Sequence, residues 1–295
     1  MSALPANGFT GFTGRAGVEL VLAGAACGAL GVQVVLRRLA FYTETVGHAA
    51  FPGILLAAVT GQSPVLGAAV TSAAVVTLPS GRSRTTVTGV MAGCALAIGV
   101  VLASASHGFS KDLAAALVGS PLTVTTRDLA VSAATLTLVV VLLALFGKEL
   151  LYGAFDPATM RAAGYPVRAL ETTLRAAIAV IVATAVPAVG AVLPLALLIG
   201  PAGAALLWTR RIAVAAPLGA CLGAAAGLAG LEISLHYRLA TGATVTVLCG
   251  AVFLLAAATS RPIRPGITTT RDTTALTALL SHETPGPLPS IRETG

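Results

Sequence analysis

The sequence predicts an all-α polytopic membrane protein of eight to nine transmembrane helices, and three observations carry that prediction. Of 295 residues, 56% are hydrophobic and only 10% are charged, against roughly 25% charged in soluble domains. Apolar runs near the bilayer-spanning length of about 20 residues recur along most of the chain. Arginines collect where those runs end, at Arg37–Arg38, Arg82 with Arg84, Arg210–Arg211 and Arg261 with Arg264. The net charge of +7 therefore reads as cytoplasmic anchoring rather than a nucleic-acid surface. A β-barrel, the other way to cross a membrane, would need alternating strands of about ten residues, and these runs do not alternate. The 32 glycines are spread through the apolar runs, as where membrane helices pack closely.

Taken in order, residues 1–16 form an N-terminal segment expected outside the cell. They hold no defensible cleavage site, so the first apolar run, 17–36, reads as a retained helix. The second span, 43–60, contains Glu44, His48 and Pro52. Gly61-Gln62-Ser63-Pro64 is a turn. Spans three and four cover about 65–79 and 86–105. Residues 107–127 are too polar to cross and read as an outside loop with one short helix. Span five is 128–146. The segment 147–167 is the longest charged stretch between spans, and within it FDPATMRAAG reads as a short helix. Asp156 caps that helix, Pro157 occupies its first position, and Gly164 closes it. Spans six, seven and eight cover about 172–188, 190–208 and 212–231. A polar link, 232–242, precedes span nine at 243–258. Alternation places every basic end on one face, with the N-terminus outside. A broken or re-entrant helix near 189–190 would reduce nine spans to eight. Residues 17–258 are thus one transmembrane domain, and 259–295, rich in Thr, Pro, Ser and Arg, a disordered cytoplasmic tail.

Several chemistries are excluded. There is no GxxxxGK phosphate loop, no GxSxG, no HExxH and no paired-cysteine zinc pattern. Cys27, Cys94, Cys221 and Cys249 stand singly in apolar runs and read as buried free thiols. The polar groups that remain are Glu44, His48, His107, Asp112, Asp128, Glu232 and His236. Glu44 and His48 are four apart, so they share a helix face. Carboxylate with imidazole suits divalent first-row metals, and ionisable groups within a membrane segment point to function. An ion pair in the headgroup layer is the competing reading. His236, four residues from Glu232, is either part of a wet loop or a second half of a metal route. His107 and Asp112 read as solvated loop residues, and Asp128 as a helix-start acid.

Five segments together resemble a known family. VVLRRLAFYTETVGHAAFPG is similar to the pattern VLRRxALxxDALSHAxLPG, with Glu44 where the family has Asp and Gly47 where it has Ser. LVGSPLTVTTRDL at 117–129, KELLYGAFDPATMRAAGYPV at 148–167, AVLPLALLIGPAGAALLWTRR at 191–211 and GLAGLEISLHYRLATGATVTVL at 227–248 follow in the family's order. Ala158 replaces the usual Glu. The family is the permease subunits of ABC importers for zinc, manganese and chelated iron. The resemblance implies an ABC importer permease fold, a homodimer, a separate cytoplasmic ABC ATPase, and an extracytoplasmic metal-binding protein that delivers the cargo. It implies no permanently bound cofactor, only a transported divalent metal. It places Glu44 and His48 on the metal path, with His236 as a further candidate. It makes Asp156, Pro157, Arg161 and Gly164 the ATPase-coupling residues. A secondary transporter of small metabolites is the rival reading, which an internal inverted repeat or a buried acid–base pair in each half would favour, and neither stands out in the sequence; a non-transporting scaffold or enzyme is the second.

Overall fold

A computed structural model describes residues 12–77, 84–104, 125–190, 193–209 and 211–260. The outside loop at 107–124, the basic turn at 82–83, the segment 1–11 and the tail from 261 lie outside the described residues. All regular structure among the described residues is helical: α1 (Phe12–Leu36), α2 (Ala40–Thr60), α3 (Pro64–Val76), α4 (Arg84–Ser104), α5 (Thr126–Phe155), α6 (Pro157–Ala162), α7 (Val167–Val189), α8 (Leu193–Trp208), α9 (Ile212–Tyr237) and α10 (Thr241–Thr259).

Six of these are long and apolar enough to cross a bilayer: α1, α4, α5, α7, α9 and α10. The expected spans two, three and seven are not among them. Helix α2 is 21 residues long, but Thr43, Glu44, Thr45 and His48 crowd polar groups into its first half. Helices α3 and α8, with 13 and 16 residues, are shorter than the roughly 20 a perpendicular span needs.

Helices α1, α2 and α7 begin three to five residues before the expected spans, and two helices run well past their expected ends, both for the same reason. Helix α5 runs on through Gly147 to Phe155, because that glycine is followed by the helix-favouring Lys148-Glu149-Leu150-Leu151. Helix α9 continues through Glu232 and His236 to Tyr237, so the expected polar link is mostly its last two turns. Polarity marks where a helix leaves the apolar layer, and a helix needs no apolar layer to continue. The end is set at Arg238, which takes a left-handed conformation with φ 54° and closes the last turn.

The helices form two groups joined by α7. Helix α1 packs against α5, α8 and α9, with α10 behind α8 and α9. Helix α2 packs against α3 and α4, and α7 touches both α1 and α2. Of its span, α1 buries 72% and α7 56%, whereas α4, α5 and α10 bury 22% each. The first two are therefore central, and the last three carry the apolar outer face. Close approach of α1 to α9 depends on glycine. Gly24 and Gly28 of α1 lie against the backbone at Gly223 and Gly219 of α9, and a Cβ on any of the four would fall well inside van der Waals contact. Both pairs have the four-residue spacing of small residues that lets membrane helices touch backbone to backbone. On the other side of α7, the fully buried Phe51 ring of α2 occupies the space a Cβ at Gly99 of α4 would need.

Of the four cysteines, Cys27 and Cys249 are buried and free as expected, but Cys94 and Cys221 are exposed. An apolar run on the outer face of a bundle buries only one stripe of itself, and these two thiols fall outside that stripe.

Candidate metal site and coupling helix

Glu44 and His48 are on one face of α2, as their spacing requires. His48 Nε2 lies 3.7 Å from Glu44 Oε1. Two ligands on one tetrahedral metal, each about 2.1 Å from it, stand about 3.4 Å apart. A small side-chain adjustment therefore lets both hold the same ion. The pair opens into a cavity of about 140 Å³ walled by Thr43, Glu44, Gly47 and His48 of α2, Val182 of α7, and Pro194 and Leu195 of α8. A cavity that size holds a cation together with several waters. His48 Nδ1 is buried and has no hydrogen-bond partner, so the imidazole keeps unused donor capacity.

Pro52 adds a second feature. It sits inside the continuous helix α2 and has no N–H to give, so the helical acceptor four residues back, the His48 carbonyl, loses its partner. A freed carbonyl thus accompanies the imidazole of the same residue. These are hard-to-borderline donors of oxygen and nitrogen, without thiolate, a set that accepts manganese and zinc alike.

His236 stands apart from this pair. It is exposed in the last turn of α9, its ring edge-on to Tyr237 at 4.9 Å, and it is not part of the cavity wall. Glu232, also exposed, lies one turn before it. Asp128 completes a reciprocal capping box with Thr125 at the start of α5, which is the helix-start role expected of it. His107 and Asp112 lie outside the described residues. Among the described residues, no three His, Cys, Asp or Glu side chains gather as a closed metal cage.

One buried acid escaped the sequence reading. Glu19 of α1 has no exposed surface, and Ser132 of α5 donates a hydrogen bond to its Oε1 at 2.5 Å. Its signal was present, a carboxylate two residues into an apolar run. The partner, 113 positions away, has no sequence signal. Arg175 was missed in the same way. It is buried in α7, pairs with Glu171 at 3.6 Å, and lies over the Tyr42 ring at 5.9 Å.

The short helix expected after Phe155 is present as α6. Asp156 Oδ1 accepts the Thr159 N–H at 3.0 Å, and Pro157 opens the helix. Arg161 falls in its last turn, and Gly164 follows with φ 81°, a conformation that favours glycine. Met160 is the buried residue of α6. The rest of 156–166 faces outward, flanked by the exposed aromatics Tyr152, Phe155 and Tyr165.

Hydrogen bonds from Thr159, side chain before backbone, hold the Asp156 carboxyl below its usual range. A lowered folded pKa contributes stability that is present above the unfolded pKa and is lost as pH falls through the folded one. Amide protection across 157–164, taken relative to the intrinsic exchange rate at each pH, is therefore expected to be constant near neutrality and to fall when the medium is acidified below the ordinary carboxylate range. Asp156→Ala lowers that protection near neutrality, and the two proteins converge in acid. An exchange profile in which wild type and Asp156→Ala coincide at neutral pH would remove the cap from the account.

The described residues thus form an apolar helical bundle in which a polar pair lines a cavity and a short capped helix follows α5. The sequence profile of the ABC 3 transport family matches residues 10–260, and the chain belongs to that family. It is 32% identical over 242 residues to the manganese transport system membrane protein MntC of Halalkalibacterium halodurans, covering 80% of this chain and 83% of the relative. The zinc transport system membrane protein TroC of Treponema pallidum is 31% identical over 79% of this chain and 83% of its own. Among solved structures, PsaBC from Streptococcus pneumoniae in complex with Fab superposes with TM-score 0.75 at 28% identity, over 83% of this chain and 90% of that one. A putative metal-chelate type ABC transporter in an inward-facing conformation shares the fold, with TM-score 0.71 at 15% identity, over 83% and 85%. The chain is accordingly a multi-pass membrane protein.

Proposed function

We propose that this chain is the membrane permease subunit of an ABC importer for a divalent transition metal, manganese or zinc, with iron a further candidate cargo. The observation that carries the reading is the Glu44–His48 pair, 3.7 Å apart and facing a cavity between α2, α7 and α8, in a chain that matches a transport family over residues 10–260. Relatives named for manganese and for zinc transport agree with a donor set that accepts both. Two protein ligands from one chain leave a site open enough to release its ion, as transport requires. Water or the same pair from a second copy completes it in a homodimer. A binding protein outside the membrane delivers the ion.

The energy comes from a separate cytoplasmic ATPase, seated on α6. The exposed face of α6, bracketed by Tyr152, Phe155 and Tyr165, has the aromatic composition of protein-binding hot spots. Eight or nine of the apolar helices cross the membrane, the short α3 and α8 as tilted or partial crossings beside the six long spans; the full count of nine puts the N-terminus outside and the basic ends in the cytoplasm.

Growth rescue and metal content of a strain deleted for this chain, with each metal supplied in turn, test the function directly. Restored manganese or zinc content is the expected result; unchanged metal content in the deletion strain would sink the reading. For the docking helix, Arg161→Glu combined with Gly164→Val is expected to uncouple transport while the bundle still folds. Valine is disfavoured at φ 81°, and the charge reversal changes the outward face. Normal co-purification of the ATPase with normal transport would place the contact elsewhere.

A further inference from the structure

The structure ties both flanks of α6 to the start of the helix that carries Glu44 and His48. Arg37 stands in the three-residue turn between α1 and α2. Its Nη2 donates to the Leu150 carbonyl of α5 at 2.5 Å, five residues before that helix ends at Phe155. A Cβ at Gly153 would stand 3.3 Å from the same Nη2 and 3.1 Å from Met160 Sδ. The guanidinium and the buried side chain of α6 therefore meet over one glycine. The other flank is α7. Tyr42, half a turn before Glu44, donates from its hydroxyl to the Arg175 carbonyl at 3.4 Å, and the Arg175 guanidinium covers its ring. Arg37, Gly153, Pro157, Glu171 and Arg175 stand together in the wall of a cavity of about 300 Å³.

We propose that Arg37 and the Tyr42–Arg175 stack are positioning residues that carry displacement of α6 into the first turns of α2, and so set whether Glu44 and His48 hold or release metal. This rests on the reading of α6 as the ATPase contact. The physical reason is geometric. A six-residue helix with one buried side chain cannot move a membrane bundle by itself. Held between α5 and α7, it moves whatever those two grip. Helix α7 packs on α2 and α5 holds Arg37 in the turn that leads into it, and α2 is a continuous helix through His48, so a tilt at Leu39–Tyr42 reaches the metal pair with no loop between. Arg38, with φ 55°, holds the turn in a conformation a non-glycine residue adopts rarely, and a tight turn of this kind passes motion from the Arg37 anchor to α2.

The test uses the whole importer, with permease, ATPase and binding protein, in proteoliposomes. The readout is manganese transported per ATP hydrolysed. Arg37→Ala is expected to leave ATPase co-purification and manganese binding at Glu44–His48 unchanged. It is expected to lower transport per ATP roughly tenfold, the scale of one lost charge-assisted hydrogen bond. Arg37→Lys, which keeps a cationic donor, restores part of it. Gly153→Ala keeps every charge but presses on Nη2 and Met160, and gives a smaller drop in the same ratio; it serves if Arg37→Ala does not assemble. An unchanged ratio in Arg37→Ala, or in Gly153→Ala if the former is unstable, overturns the proposal. The two readings separate cleanly. If α6 variants abolish coupling while these variants do not, the relay alone is wrong. If α6 variants also leave coupling intact, the docking reading falls first.

Discussion

Alanine at Glu44 or His48 is expected to abolish manganese uptake by correctly assembled complexes, and Glu44→Asp to retain most of it. Removing a group that merely supports a metal ligand costs roughly 10–100-fold in affinity. Loss of one of two direct protein ligands is therefore expected to cost more than about a hundredfold. Aspartate keeps the carboxylate and shortens its reach by one methylene, a change that a half-exposed side chain with a 3.7 Å gap to its partner can absorb. If the pair were only an interfacial ion contact, its worth would be about 0–1 kcal/mol, and each alanine variant would transport normally once assembled. Radiolabelled uptake per assembled complex distinguishes the two. Wild-type rates in both alanine variants would take these residues out of the mechanism.

The second large effect is on folding. Gly28→Val is expected to destroy the α1–α9 contact, because its Cβ would overlap the Gly219 carbonyl. Overpacking of a filled core costs typically 1–3 kcal/mol, and here the obstacle is backbone on both sides, which cannot rotate away. The cost is expected to exceed about 3 kcal/mol, a large part of the 5–15 kcal/mol that holds a typical domain. Gly93→Ala in α4 and Gly250→Ala in α10 are the controls. A Cβ at either meets nothing within 4 Å, and replacing a helical glycine by alanine there is neutral or stabilising by about 0.5–1 kcal/mol. Thermal stability of the detergent-solubilised chain, read by size-exclusion after heating, ranks the three. A Gly28→Val protein as stable as the controls would refute the close approach of α1 and α9.

What the sequence determined by itself was everything local. Apolar run length set the helical membrane class, and the Glu44–His48 spacing set their common face on α2. Asp156, Pro157 and Gly164 set the start and stop of α6, since a cap, a first-turn proline and a left-handed closing residue each act within a few positions. Local polarity misjudged where helices end. Lys148–Glu149 and Glu232–His236 were placed between spans, yet α5 and α9 run through them, because helical hydrogen bonds do not depend on an apolar surround. It also gave full spans to 65–79 and 190–208, where α3 and α8 have only 13 and 16 residues.

Only the tertiary structure decided which distant groups meet. Val182, Pro194 and Leu195 close the cavity over His48, Ser132 finds Glu19, and Arg37 reaches the Leu150 carbonyl across 113 positions. Gly24 and Gly28 meet Gly223 and Gly219 rather than any of the other glycines in the chain. In a chain so uniformly apolar, every helix face is compatible with every other by hydropathy. Partner choice is left to shape and to a few buried polar contacts, which depend on packing between helices and leave no periodic mark in the sequence.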